Sequence, residues 1–365
     1  MQKDILKNSN KETIENEILQ KAESGIRISS EEALFLWKHG NFKKMGITAH
    51  SIKCKKVKKN IVSYTVFRII NYTNHCIIRC NFCSFTTQTN SDSKEYTLSP
   101  DQIIKQFETS YKHDVKQLFL QGGVNPELSF DYYLELLRKV KKEFSDIHIR
   151  AFSPVEILHM SKNTGMSLSK IFLELKDAGM DSFPGAGAEI LSDRMRNILS
   201  NKKASTYDWV LTMKTAHEKN LLSSANIVWG SEETDEEIID HLAIIRKLQD
   251  DSKGILSFVP WTFQQQTKNF KVRYVPTYEY LKMVALCRIF FDNISHIEAS
   301  LLVHGEKAGE LALLWGSDDI NSPVIEENVL RSYGLKTIKE AENFIKKAGF
   351  KPVRRNFMFE YDKKS

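Results

Sequence analysis

From residue 61 onward two kinds of stretch alternate, and this alternation limits the possible folds more than any other feature of the chain. Short runs rich in β-branched and aromatic residues are each followed by a longer run with apolar residues three and four apart. The strand-like runs are Ile61–Asn71, Val115–Leu120, His148–Phe152, Asp181–Phe183, Ser223–Trp229, Ile255–Trp261 and His296–Leu302, with an eighth expected at Pro323–Ile325. One helix-like run opens at Ser99-Pro100, where Ser99 reads as an N-cap and Pro100 as the first helical residue. The others are Asp131–Glu143, Ser167–Ala178, Tyr207–Lys219, Asp235–Gln249, Tyr278–Phe291 and Gly305–Trp315. Strands separated by helices pair in parallel, because each crossover returns the chain to the same end of the sheet. The expected fold is therefore α/β: a (β/α)8 TIM-type barrel, complete or nearly so, with an open doubly wound sheet as the alternative.

The flanks read differently. Residues 1–60 predict a helical extension, with helices at Lys11–Glu23 and Ser30–Lys38 and then a basic loop. Ser29 is its clearest N-cap, with Glu31 and Glu32 in the first turn. Residues 61–325 form the expected barrel core, and 326–365 a C-terminal helical cap and tail. The cap would hold helices at Glu326–Tyr333 and Thr337–Ala348, and Arg354–Tyr361 is a candidate strand. No apolar run approaches the roughly 20 residues of a membrane helix, so no membrane span is expected. The N-terminus lacks the apolar segment of a secretory signal. Of five cysteines, three lie together, which points to a reducing cytoplasm rather than a disulfide framework. The net charge of +6 is scattered and shows no basic face interleaved with aromatics, which argues against a nucleic-acid partner.

The clustered cysteines are Cys76, Cys80 and Cys83, in a loop directly after the first strand-like run. A short cysteine loop leaving a strand is a place to hold a metal. Three thiolates fill three corners of a 4Fe–4S cube and leave the fourth iron open, whereas clusters held wholly by protein use four. A zinc site with His75 as fourth ligand and three inert buried thiols are the bland alternatives. Cys54 and Cys287 stand alone and read as small buried hydrophobes. The other conspicuous residues also fall where strands end. Gly122-Gly123, with Asn125 just beyond, follows the second strand, and paired glycines let backbone approach a ligand. Ser153 follows the third strand, Glu189 lies in the glycine-rich turn after the fourth, and Glu233 follows the fifth. Either glutamate would equally suit a helix N-terminus. His304, Asp318, Asp319 and Glu326 lie near the later strand ends and are candidates for proton transfer, or for caps and turns.

The CxxxCxxC spacing resembles the signature of the radical S-adenosylmethionine (SAM) enzymes. NYTNHCIIRCNFCSF, LQGGVNP, IRAFSPVEI, DSFPGAGAEIL and FVPWTFQ follow in the order seen in those of menaquinone and deazaflavin biosynthesis. PGAGAEIL and the FVPW-x-FQ end look most like the dehypoxanthine futalosine cyclase branch, while His304-Gly305 departs from its usual Val-Gly-Pro. The resemblance implies a 4Fe–4S cluster on Cys76, Cys80 and Cys83 and SAM on its open iron. It places Phe82 near the adenine and the Gly122-Gly123 carbonyls at the SAM amino group. Asn125, Ser153, Glu189 and Glu233 become cofactor-binding candidates, Glu189 toward ribose or the methionyl amine and Glu233 in a loose GxIxGxxE motif. It also implies a nucleoside-type small-molecule substrate and a low-potential electron donor such as flavodoxin or ferredoxin. Removal of a ribose C4′ hydrogen would lead to ring closure. Aminofutalosine synthase and the deazaflavin-forming subunits are the neighbouring alternatives, and a metal-stabilised binding protein is the non-enzymatic one.

Overall fold

The computed structural model describes residues 2–57, 60–83, 85, 94–264, 270–320 and 337–362, with side chains from residue 10 onward and without that of Leu302. Three helices come first: α1 Gln2–Glu23, α2 Ser30–His39 and α3 Phe42–Lys56. Then follow β1 Ile61–Thr65, β2 Arg68–Asn71, α4 Pro100–Lys112, β3 Gln117–Gln121, α5 Phe130–Glu143, β4 His148–Ala151, α6 Pro154–Thr164 and α7 Leu168–Asp177. The next elements are α8 Asp193–Leu199, α9 Thr206–Glu218, β5 Ser223–Trp229, α10 Asp235–Ser252, β6 Ile255–Thr262 and α11 Thr277–Phe290. The chain closes with β7 His296–Ala299, α12 Leu301–Leu314, β8 Asp319–Ile320, α13 Ile338–Lys347 and β9 Lys351–Arg355.

Among the described residues the named strands pair in parallel, and two isolated bridges, Thr73 to Thr97 and Arg355 to Tyr361, are antiparallel. One sheet runs β5-β6-β7-β8-β1-β9 and the other β2-β3-β4. Single bridges, Arg150 to Ser182 and Phe183 to Ser223, join β4 to β5, so the expected fourth strand is reduced to two bridging residues. The predicted first strand is split: β1 bonds β8 and β9, while β2 bonds β3. Because β1 leads directly into β2, the two sheets form one α/β barrel of parallel strands, as the alternation predicts.

The helices are set by caps and by apolar spacing. Ser29 and Ser99 each make a reciprocal capping box, with Glu32 and Gln102 respectively. The expected basic loop after α2 is instead α3: Asn41 caps it, and Met45, Ala49 and Ile52 bury at spacings of four and three. α6 and α8 are also additions to the sequence reading. Pro154 sits in the first turn of α6, Ser153 caps it, and Gly165 follows it in the left-handed conformation. α3 packs on α11, and α2 on α10 and α11. The eighth strand is Asp319–Ile320 rather than Pro323–Ile325, and it lies between β7 and β1. Pro323–Ile325, Glu326 and the helix expected at Glu326–Tyr333 lie outside the described residues.

Alternation along the strands separates two layers. Val62, Tyr64, Leu118, Leu120, Ile149, Ala151, Ala225, Ile227, Phe258 and Ile297 join the apolar core. Polar side chains from neighbouring strands bond one another across the barrel: Gln117 donates to Thr65, Arg150 to Ser224, and Ser257 to Glu298. Arg355 of β9 makes two hydrogen bonds to Asp319, of 2.6 and 2.7 Å, and Ser63 donates to the same carboxylate at 2.5 Å.

Candidate active site

Asp319 is in register with Ser63, near the start of β1, and the cysteine loop follows Asn71 at the end of β2. At about 3.3 Å per strand residue, these levels lie roughly 25 Å apart along the chain. That separation decides which candidate residues can share one site.

At the carboxyl end, the cysteine loop is built against its neighbours. Ile77 N–H donates to Val124 carbonyl at 2.9 Å, and Gly123 N–H to Thr73 carbonyl at 2.8 Å. A Cβ on Gly123 would lie 2.2 Å from the His75 carbonyl oxygen and 2.9 Å from the Cys76 Cβ. A Cβ on Gly122 would lie 2.6 Å from the Tyr72 ring. Both positions therefore need glycine for close approach, and Gly123 packs on the cysteine loop itself. Behind the pair lies Glu156, fully buried. Its carboxylate accepts from the Tyr72 hydroxyl and from Gly122 N–H, the latter at 3.3 Å. Burial raises Glu156 to about 7, against the opposing pull of Ser153, Tyr72 and the Gly122 N–H.

On the other side, α8 and the residues after it clasp the loop. Asn81 donates through its backbone N–H to Leu199 carbonyl at 2.8 Å and through Nδ2 to Ile198 carbonyl at 2.7 Å. Ser200 Oγ donates to Ile78 carbonyl. Glu189, at a left-handed φ of 41°, pairs with Lys203 at 2.9 Å. The Lys203 ammonium is also 3.9 Å from Cys80 Sγ and 5.8 Å from the centre of the Phe82 ring. Burial opposes its charge, but Cys80 and Glu189 outweigh burial and hold Lys203 above the ordinary lysine value. Phe82 packs edge-on to Phe263, 5.2 Å between centres, and near Phe270 at 6.1 Å. Thus Phe82, Gly122, Gly123, Glu189 and the three cysteines form one constellation.

Three predicted cofactor contacts have other partners. Asn125 Nδ2 donates to Thr97 and Thr73, while its Oδ1 accepts from Glu127 N–H at 2.9 Å, so the side chain holds its loop. Ser153 Oγ caps α6. Glu233 accepts from Gly230 N–H at 2.6 Å and from Ser231 N–H at 3.0 and 3.1 Å, closing the turn after β5.

The proton-transfer candidates divide. Asp318 is a structural ion: fully buried Arg288 pairs with it, His296 Nδ1 donates to it at 2.6 Å, and Ile297 N–H at 2.9 Å. Burial alone would raise its pKa, but Arg288 and His296 bring it down to about 2. Asp319 is held by Arg355 and Ser63, on strand β8 rather than in a loop before a strand. Both carboxylates are therefore held by buried partners, and the structure does not bring them to the cysteine loop. Their sequence context, Gly316-Ser317-Asp318-Asp319, looks the same at either end of a strand. His304 stays near a carboxyl end. Its ring stacks on Tyr280, 3.7 Å between centres, and its Nε2 lies 3.2 Å from Thr262 Oγ1 at the end of β6. Burial lowers His304 to about 4. Glu326 lies outside the described residues.

Glu156, Lys203, Asn81 and Tyr72 also meet the glycine pair or the cysteine loop, and no motif in the sequence gives them a role. Glu156 carried a signal, a carboxylate two residues past Pro154 at a strand end; Lys203, in Asn201-Lys202-Lys203, carried none.

The donor set suits an iron–sulfur cluster. Cys76, Cys80 and Cys83 are half-buried and free of disulfides, and a buried ammonium and a close-packed glycine pair adjoin them. Among the described residues no three His, Cys, Asp or Glu side chains converge as they would round a single ion. A cubane places each thiolate on a separate iron.

Comparison with known proteins bears on the fold and the family. The solved structure of methylornithine synthase (PylB) shares the fold with a TM-score of 0.72 at 18% identity, covering 92% of this chain and 97% of that one. The FeFe-hydrogenase maturase HydG from Carboxydothermus hydrogenoformans gives 0.77 at 16% identity, covering 98% and 82%. Residues 70–245 match the Radical SAM superfamily, and with the relatives that follow this defines a radical SAM enzyme. Residues 252–365 match the CofH/MqnC C-terminal region. Cyclic dehypoxanthine futalosine synthase of Streptomyces coelicolor is 35% identical over 94% of this chain and 88% of its own. The chain belongs to the CofH/MqnC family of radical SAM enzymes. Within that family, 5-amino-6-(D-ribitylamino)uracil–L-tyrosine 4-hydroxyphenyl transferase of Archaeoglobus fulgidus is 35% identical over 82% of this chain and 88% of its own. Aminodeoxyfutalosine synthase of S. coelicolor is 30% identical over 95% and 94%. Among the described residues no helix is long and apolar enough to cross a membrane.

Proposed function

We propose that this enzyme cyclises dehypoxanthine futalosine. The observation that carries the assignment is the 35% identity to cyclic dehypoxanthine futalosine synthase across 94% of the chain, where the equally identical hydroxyphenyl transferase covers 82%. Cys76, Cys80 and Cys83 would hold a 4Fe–4S cluster, and Gly122, Gly123, Glu189 and Phe82 would seat SAM. When bound, cluster and SAM supply a carbon radical that removes the ribose C4′ hydrogen, chemistry that belongs to the cofactor. The protein's share is to orient the ribose and exclude water. Glu156 and Tyr72 support the glycine pair from behind. His304, neutral at pH 7 because burial holds it to about 4, is the proton acceptor we assign for ring closure. Electrons would come from a low-potential donor of the flavodoxin or ferredoxin type.

The test is to incubate the reduced, reconstituted enzyme with SAM and each family substrate without oxygen, and to identify products by mass. Cyclic product from dehypoxanthine futalosine supports the assignment. Turnover only of an enolpyruvyl benzoate substrate, or of tyrosine with a ribitylaminouracil, overturns it in favour of the corresponding relative.

A further inference from the structure

Lys203 is a lysine buried at the cluster loop, and the function proposed above gives it no task. Its side chain is 3% exposed. Burying an ammonium costs several kcal/mol unless negative partners surround it. Glu189 at 2.9 Å supplies one, and Cys80 Sγ lies 3.9 Å away. The lysine is not there by accident of a loose loop. Arg196, itself buried, donates to Ala188 carbonyl at 2.8 Å and to Gly187 carbonyl at 3.3 Å, and also to Ala204 carbonyl. It therefore ties the residue after Lys203 to the turn that carries Glu189. Asn81 and Ser200 tie the same segment to the cysteine loop. Two sets of bonds thus fix Lys203 against one cysteine.

We propose that Lys203 is a positioning residue that directs a charge-assisted N–H to the Cys80 sulfur and so makes the cluster easier to reduce. This rests on the assignment of Cys76, Cys80 and Cys83 as cluster ligands. Hydrogen bonds to cluster sulfurs and net charge near the cluster set its reduction potential. A cation in a water-poor site stabilises the form carrying the extra electron. The step concerned takes one electron from a low-potential donor into the cluster, with no bond broken and no proton moved. Glu189 moderates the effect by sharing the ammonium.

The experiment is a redox titration of the anaerobically reconstituted full-length enzyme, followed by electron paramagnetic resonance. SAM is left out, so a contact between Lys203 and the SAM carboxylate cannot produce the shift. Wild type, Lys203→Met, Lys203→Gln and Lys203→Arg are compared at equal iron and sulfide content. The methionine and glutamine variants should lower the reduced-to-oxidised ratio at fixed potential about tenfold, a midpoint shift of about 59 mV to the negative for one electron. Arginine should restore most of it. An unchanged midpoint in Met and Gln variants that keep their cluster overturns the proposal. So does loss of the cluster from both variants with its retention in the arginine variant, which would make Lys203 a structural support. Absence of iron and sulfide from wild type refutes the ligand assignment itself, and is seen before any midpoint is measured.

Discussion

Asp318→Asn should destabilise the fold without acting on chemistry. The aspartate is fully buried with Arg288, His296 and the Ile297 N–H on its two oxygens. An amide keeps the shape and one acceptor oxygen but removes the charge, so a guanidinium at 0% exposure is left with neutral acceptors only, among them the Gly316 and Ser295 carbonyls at 2.8 Å, and the new NH2 group faces His296 Nδ1. Removing one partner of a buried ion pair costs about 3–5 kcal/mol. The acid's own titration sets a floor: about 2 in the fold against 3.8 ordinarily is worth about 2 kcal/mol. Unfolding of 365 residues carries an entropy of about 0.8 kcal/mol/K, so the loss predicts a Tm lower by about 4–6 °C. The pH dependence has a definite sign. A depressed carboxylate stabilises fully above its unfolded value, and that stability is lost as pH falls through the folded one. Wild type should therefore lose about 2 kcal/mol more than Asp318→Asn between pH 4 and pH 2. Circular dichroism melts of both proteins at pH 7, with denaturant titrations across the acid range, measure these quantities. A variant that melts with wild type yet forms no cyclic product would refute the argument and return Asp318 to proton transfer.

Gly123→Ala should abolish SAM binding and reduce iron content, because its Cβ meets backbone, the His75 carbonyl at 2.2 Å, which only movement of the cysteine loop can relieve; calorimetry with SAM and iron analysis check this. Glu156→Gln should flatten the stability profile between pH 4.5 and 7. A buried acid raised to about 7 loses stability as pH rises through that window, by about 3 kcal/mol, and an uncharged amide does not. Denaturant titrations at pH 4.5 and pH 7 decide it, and an equal slope in wild type and variant counts against the shift. His304→Phe keeps a ring against Tyr280 but no basic nitrogen. It should still release 5′-deoxyadenosine while cyclic product falls at least tenfold, and normal product yield would remove His304 as acceptor. Cys287→Ala, on buried α11, should cost about 1 kcal/mol and keep full iron, in contrast to Cys80→Ala.

The barrel is legible in the sequence because its two periodicities are strong where strands are long. Ser223–Trp229 has the bounds expected of it. The fourth strand is poorly resolved by periodicity because only Ser182 and Phe183 bridge. α3 was hidden by its lysines: Lys43, Lys44, Lys53, Lys55 and Lys56 give a basic composition, but Met45, Ala49 and Ile52 bury one stripe. Lys53 itself is buried, reaching Leu313 carbonyl at 2.8 Å. Charge count hides amphipathicity when long side chains snorkel or cap neighbouring helices. The cysteine loop and the glycine pair were legible because their chemistry depends on local spacing.

What local spacing cannot give is depth. A (β/α) barrel presents polar residues at both ends and along its interior, and an aspartate beside a strand looks alike at each. The sequence expects the eighth strand four residues later, at Pro323; the register with Ser63, itself opposite Val353 of β9, puts Asp319 low in the sheet, where the Arg355 side chain reaches it. β9 comes from the C-terminal tail, so the ion that fixes Asp319 is separated from it by 36 residues and follows no motif. The same argument runs in the other direction for Lys203 and Glu156. Lys203 reaches Cys80 across 123 residues, and Tyr72 meets Glu156 across 84. Motif residues name the chemistry, but the residues that hold the motif in place come from whichever elements the barrel brings alongside. Substitutions at Lys203, Glu156 and Arg196 should therefore disturb the site, whereas those at Asp318 and Asp319 should disturb the fold.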